Sequence, residues 1–246
     1  MSETLQLESH MKLASHVVTA DTGLAPNPFH GYCTTGLCTP SHRKAKLEPG
    51  DWLIGHSRKR EGNQLVYAMH VSEVLEMDDY FHDLRFQSKK PNPTGKKEEQ
   101  CGDNLYYKES GRWKRLPSRF HNSCDNFLKD IKALTSETLT GSRVFVANEF
   151  FYFGASSIAI PDQFQDVIQK VQGMKYTGDF LAKEFVAWLK SNNRPGILGT
   201  PRDMEDHSQD GGPMITDWLS DCTNKSTVGA KGCKPVAFVT RPKKGC

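Results

Sequence analysis

Residues 21–43 read DTGLAPNPFHGYCTTGLCTPSHR and concentrate polar, aromatic, thiol and imidazole groups in one short stretch. Asp21 offers a carboxylate, Thr22 a hydroxyl, Asn27 an amide and Phe29 a ring. His30 and His42 add imidazoles, Cys33 and Cys38 thiols, and Arg43 a guanidinium. Such groups hydrogen-bond the edge of a base or sugar, stack on a ring and pair with phosphate. Pro26, Pro28 and Pro40 remove backbone donors, while Gly23, Gly31 and Gly36 permit turns, so the stretch is expected to be an ordered loop. A second polar cluster, Gln100-Cys101-Gly102-Asp103-Asn104 followed by Tyr106, has similar content, and Phe120-His121-Asn122 adds a third.

Two kinds of function use these groups. In a binding protein, a base that carries or lacks a modification would sit in an aromatic and polar pocket. Thr22, Asn27, Phe29, Cys33, Arg43, Trp52, Asn104, Tyr106 and Tyr152 are the candidate nucleotide contacts. Stacking alone contributes about 1–3 kcal/mol per base. In an enzyme of base or nucleotide modification, transferase or glycosidic-bond chemistry would use Asp21 or Asp103 as general base or nucleophile. His121 or Cys33 would assist and Arg43 would hold phosphate. Both carboxylates could equally cap turns. A third possibility is a structural partner in a modification complex. The chain has no Walker loop, dinucleotide fingerprint, nucleophile elbow or H-E-x-x-H, and lacks the zinc-deaminase pattern.

The seven cysteines are an odd number and cannot all pair within the chain, which suits a reduced protein. Cys33 and Cys38, flanked by His30 and His42, raise the question of zinc with Cys101 and Cys124. Their spacing is wider than the C-x-x-C pair of convincing zinc sites, so neither a metal nor another cofactor is expected.

Elements must position these groups. Leu13 to Thr19 suits a first strand that runs directly into the loop. After the Pro49-Gly50-Asp51 turn, Trp52 to His56 and Leu65 to Leu75 predict a hairpin with a long second strand and a bulge near Met69 or His70. A short helix is expected near Asp78 to Phe86, then a mobile lysine-rich loop from Lys89 to Glu99. Short strands are expected near Leu105 to Lys108 and Arg112 to Leu116. Arg143 to Ala147 reads as strand and continues into Phe150-Phe151-Tyr152-Phe153, a run more typical of core than of an exposed stacking surface. From Pro161 the period turns helical at Phe164, Val167, Ile168 and Val171, and again at Phe180, Leu181, Phe185, Trp188 and Leu189, which predicts two helices ending before Asn193. Residues 1–201 are expected to form one domain. Residues 202–246 would be an extension with a short helix near Met214 to Leu219 and an edge strand near Val236 to Thr240.

With a net charge of +3, the composition does not itself demand a nucleic-acid partner. Local basic groups matter more: Arg58-Lys59-Arg60, Lys89-Lys90 with Lys96-Lys97, and Arg112, Lys114 and Arg115 around Trp113. Cations beside an aromatic suit phosphate attraction with base stacking, although each group also suits a solvated loop. No apolar run approaches a membrane span, and MSETLQLESHMK has no apolar stretch of signal-peptide type, so a cytoplasmic protein without a membrane partner is expected.

DTGLAPNPFHGYCTTGLCTP, GDWLIGHS, LVYAMHVSEV, CGDNLYY and FFYFG follow one another in that order. Together they resemble the nucleotide modification associated domain family, second type, from about Ser15 to Pro201. The resemblance implies association with phage or bacterial DNA-modification systems, with nucleotide or nucleic acid, DNA favoured, as ligand and DNA-modification enzymes as partners. GDWLIGHS with the following LVYAMHVSEVL is also similar to the hairpin of EVE, ASCH and other PUA-like domains, small β-barrels that bind RNA or modified bases. The expected fold is therefore α+β, with a curved, mostly antiparallel sheet or PUA-like barrel core and C-terminal helices packed on it.

Overall fold

The computed structural model describes residues 10–36, 45–120, 124–135, 143–171 and 173–204. Expectations for Cys38, His42, Arg43, His121 and the segment beyond residue 204 lie outside the described residues. The fold is α+β and built in layers. β1 (Leu13–Val17), β3 (Trp52–His56), β4 (Leu65–His70), β9 (Glu149–Tyr152), β10 (Lys175–Thr177) and β11 (Gly196–Ile197) form a six-stranded sheet in the order β10-β1-β3-β4-β9-β11. β1 runs parallel to β3 and β11 to β9, while the other neighbours are antiparallel. β2 (Cys33–Thr34), β8 (Arg143–Ala147) and β5 (Glu73–Glu76) make a second, antiparallel sheet, and β6 (Tyr106–Glu109) with β7 (Arg112–Arg115) a separate ribbon. Among the described residues these sheets are open rather than closed into a barrel.

Side-chain alternation divides the apolar residues into three cores. On one face of the large sheet, Leu13, Trp52, Ile54 and Phe151 pack with Ala182, Phe185, Val186 and Leu189 of α4 (Asp179–Asn192), whose apolar residues recur at helical spacing. On the other face, Leu53, Met69, Phe150 and Tyr152 meet Cys33, Phe145 and Ala147 of the small sheet. Val144 and Val146 point away from that layer. They pack with Met77 and Tyr80 of α1 (Met77–His82), Phe127 and Leu134 of α3 (Cys124–Leu134), and Tyr106 and Trp113 of the ribbon; the one-turn α2 (Lys97–Gln100) lies between α1 and α3 in the chain. The FFYF run is core on both faces, Phe150 and Tyr152 in the middle layer and Phe151 and Phe153 beneath α4.

Several expectations change. The long second strand of the hairpin breaks after His70: β4 stays in the large sheet and β5 joins the small one. The register shift lies opposite Gly55 and His56 rather than at Met69 or His70, and Val66 and Tyr67 consequently face the same core. Gly55 is required there, because a Cβ would stand 2.2 Å from the Tyr67 ring. Likewise, Arg143 to Tyr152 is two strands in two sheets. Of the two C-terminal helices only α4 is α-helical. Asp162–Val167 is a 3-10 turn that buries Phe164 and Val167, its three-residue spacing having imitated an α-helical stripe. α3 was missed, no element having been assigned between Leu116 and Arg143.

His56 is fully buried and uses both ring nitrogens: Nδ1 lies 2.9 Å from the Ser57 carbonyl oxygen, and the Gln169 amide donates to Nε2 at 3.0 Å. That pattern requires a neutral ring protonated on Nδ1, and burial lowers its affinity for a proton. With the folded pKa below the unfolded one, the unfolded chain takes up the proton first. Stability is therefore intact above about pH 6.5 and is lost as pH falls below it. Melting curves from pH 7.5 to 5 should show this decline, and His56→Gln should flatten it while costing roughly 1–2 kcal/mol at pH 7.5. An equally steep decline in the variant would assign the acid sensitivity to other groups.

Candidate functional site

The loop that follows β1 is the seam between the two sheets. It leaves the large sheet after Val17 and enters the small one as β2, where alternation turns Cys33 towards the large sheet and Thr34 to the opposite side. Its neck closes by reciprocal backbone bonds, Asn27 N to Thr34 O at 2.8 Å and Thr34 N to Asn27 O at 3.0 Å. Lys89 fastens this neck from below. Its ammonium donates to Asn27 O and Asn27 Oδ1, both at 2.9 Å, and to Tyr32 O at 2.6 Å, which uses all three protons. Asn27 in turn donates through Nδ2 to Cys101 O at 2.7 Å and accepts from Phe29 N at 3.2 Å. The loop tip is left in water at His30 and Gly31, both with positive φ (60° and 84°).

Asp103 anchors the far end of the same loop. Its Oδ2 accepts from Thr34 Oγ1 at 2.8 Å and from the Gly36 amide at 2.7 Å, and its Oδ1 accepts from the Tyr80 hydroxyl at 2.8 Å. Burial raises the Asp103 carboxyl, opposed by the Lys89 charge and by bonds from Gly36, Tyr80 and Thr34. Burial likewise pulls Lys89 down to about 8 against the attraction of Asp103. Neighbouring Asn104 donates to the carbonyls of Tyr80 at 3.1 Å and Phe86 at 3.0 Å, fixing the turn that carries Tyr80 and Lys89. Residue 102 is glycine because a Cβ would stand 2.4 Å from the Pro91 nitrogen.

Asp21 is sealed differently. Tyr152 donates to its Oδ1 at 2.5 Å and the Arg202 amide to its Oδ2 at 3.1 Å. Its backbone is clasped by Asp203, whose carboxylate accepts from Asp21 N and whose amide donates to Asp21 O, both at 2.7 Å. The segment from Leu198 to Met204 thus lies over Asp21 as a strap. It starts from β11, crosses Gly154 where a Cβ would come 2.1 Å from Thr200 O, and buries Met204 with Leu24 and Phe29. Burial raises the Asp21 carboxyl, with the Tyr152 bond, the Arg202 bond and the Arg202 charge opposing. It also pushes the Cys33 and Cys101 thiols up to about 12, which keeps both protonated.

Of the residues proposed from sequence, Asp21, Thr22, Asn27, Phe29, Cys33, Asp103, Asn104 and Tyr152 gather along this seam. Trp52 does not: it faces α4, stacked on His70 at 5.1 Å and below Lys190. Tyr106 turns into the outer core and donates to Asp130 at 2.9 Å. Arg43 and His121 lie outside the described residues. Lys89, Tyr80 and Thr34 were missed as site residues. Lys89 had been read as part of a solvated, mobile basic loop and is instead fully buried. Leu84–Lys89 is a 3-10 segment kinked at Phe86, and both Phe86 and Lys89 turn inward from it. Cys33 and Cys101 are free thiols, whereas Cys124 is disulfide-bonded, which departs from a wholly reduced chain.

These features define an α+β protein with two stacked sheets joined by a polar loop that buried, hydrogen-bonded Asp21, Lys89 and Asp103 hold in place. The chain belongs to the nucleotide modification associated domain 2 family, whose model matches residues 10–208. No curated protein and no solved structure matches it. Family membership ties the chain to nucleotide modification. No helix among the described residues is long and apolar enough to cross a membrane.

Proposed function

We propose that the chain binds a nucleotide or nucleic-acid base, DNA favoured, within a DNA-modification system, with the Asp21–Gly36 loop as one wall of the recognition surface. The carrying observation is that Lys89 directs all three of its hydrogen bonds, and Asp103 two of its three, to the loop itself. A general base must reach the proton it removes, and these groups are occupied and fully buried. They act as a frame. What they hold out to a ligand is the tip, where His30 and Gly31 are exposed and Tyr32 is half-buried. A preorganised wall of this kind binds without the entropic cost of ordering a loop.

Calorimetric titration with mononucleotides, including hydroxymethylated ones, at low salt tests this function. Binding is expected, and His30→Ala should weaken it roughly tenfold with an unchanged melting temperature. Absence of affinity for every nucleotide would overturn it. Base modification by the chain itself has one supporting observation, the desolvated Asp21 carboxyl against the Tyr152 hydroxyl. Mass spectrometry of DNA from cells expressing the chain with its gene neighbours separates the two: an altered base that disappears with Asp21→Asn, while nucleotide affinity persists, would make it an enzyme. DNA-modification enzymes are the partners that either function implies.

A further inference from the structure

The β6–β7 ribbon carries a second set of groups, independent of the loop. Paired residues of an antiparallel ladder share a face, so the pairs Tyr107–Lys114 and Glu109–Arg112 make up one side of the ribbon. The pairs Tyr106–Arg115 and Lys108–Trp113 make up the other, and Tyr106 and Trp113 bury it in the outer core. On the first side, Phe81 of α1 stacks on the Tyr107 ring, centroids 4.4 Å apart and planes 17° from parallel. Lys90 places its ammonium 3.7 Å from the Phe81 centroid. Since Tyr107 covers one face of that ring, Lys90 must cover the other. The result is a short stack, Lys90 on Phe81 on Tyr107, that ends at the second face of Tyr107.

Among the described residues that second face meets no other ring and no cation, and the Tyr107 hydroxyl has no hydrogen-bond partner. Beside it stand Lys114, directly across the ladder and paired with Glu109, and the exposed guanidinium of Arg112, which has no ion pair among the described residues. We propose that this face of the ribbon is a docking platform for single-stranded nucleic acid. One base continues the stack on Tyr107, and an adjoining phosphate pairs with Arg112, while Lys114 stays with Glu109. Every base offers a π-face, so the contact is tolerant of sequence. A flat half-buried ring whose far side is already stacked is held in place before the base arrives, and the exposed Arg112 guanidinium supplies the salt-dependent attraction that a strand requires. An acidic peptide would use the cations but would leave the ring idle.

The platform is separate from the loop, so oligomer binding and mononucleotide binding can fail independently. Fluorescence anisotropy of a labelled oligothymidylate against the full chain tests it, with thermal melts as a folding control. Tyr107→Ala should weaken binding about tenfold or more, whereas Tyr107→Phe, which keeps the ring, should leave it unchanged. Arg112→Ala, at an exposed position, should weaken binding and lower the slope of log affinity against log salt by about 0.7. Unchanged affinity in Tyr107→Ala and Arg112→Ala overturns the platform, as does equal loss in Tyr107→Phe and Tyr107→Ala. Capture of an acidic peptide that depends on Arg112 and not on Tyr107 overturns it in favour of a protein partner.

Discussion

Asp103→Ala is expected to destabilise the protein by about 3–5 kcal/mol and to lower its melting temperature by roughly 10 °C. The substitution leaves the Thr34 hydroxyl, the Gly36 amide and the Tyr80 hydroxyl without their acceptor in a fully buried place. It also removes the carboxylate that partly offsets burial of the Lys89 charge. Unsatisfied buried donors carry the full desolvation penalty, which is why truncation here exceeds the loss of one ordinary hydrogen bond. Asp103→Asn keeps an acceptor for Thr34 and Gly36 and can donate its amide to the Tyr80 oxygen, so it should cost clearly less. Differential scanning calorimetry of the two variants checks the order. Equal melting temperatures for Ala and wild type would show that the carboxylate does not hold the loop.

Lys89→Met should cost a similar amount, and its signature is local as well as global. The three carbonyl-type acceptors at the neck lose their donor together, so the Thr34 amide, bonded to Asn27 O, should exchange its hydrogen much faster. Because Lys89 and Asp103 bias each other's charge, the double variant Asp103→Asn with Lys89→Met should lose less than the sum of the singles. A strictly additive result would mean that the two groups fasten the loop without interacting. Slowed or unchanged exchange at Thr34 would locate the effect of Lys89 elsewhere.

The loop was legible as a loop because its glycines and prolines leave room for no element longer than the two-residue β2. Asp21 and Asn27 were legible as candidates within that stretch and Asp103 within a second polar cluster, but that Asp103 fastens the loop was not, since sequence does not show which polar clusters meet in space. What composition could not tell was which side of the chain faced water. Lys89 carries the most solvated of side chains and counts as surface on any sequence scale, yet three oxygen acceptors converge to hold it inside. Trp52 shows the opposite error. Its parity on β3 puts it with Ile54 beneath α4, and a strand's two faces cannot be assigned before its partners are known. The division of Leu65 to Leu75 between two sheets was hidden for the same reason, since both halves read as strand. The 3-10 turn at Asp162–Val167 passed for an α-helix because over two turns the two spacings place nearly the same residues inward.

The strap over Asp21 also orders events during synthesis. Asp21 is among the first residues of the domain to leave the ribosome, but Asp203, 182 positions later, supplies its clasp, and Tyr152, 131 positions later, its hydroxyl partner. Until translation has passed Met204, the growing chain must carry the Asp21 carboxylate without either its Arg202 and Asp203 contacts or the burial they provide. Contacts so distant along the chain close late, since each must first overcome the entropy of the loop it encloses. The Asp21 end of the polar seam, read first in the sequence, therefore waits for residues 202 and 203, whereas the Lys89 and Asp103 anchors need only the chain up to residue 103. A nascent chain halted before residue 200 would lack the Arg202 and Asp203 contacts to Asp21.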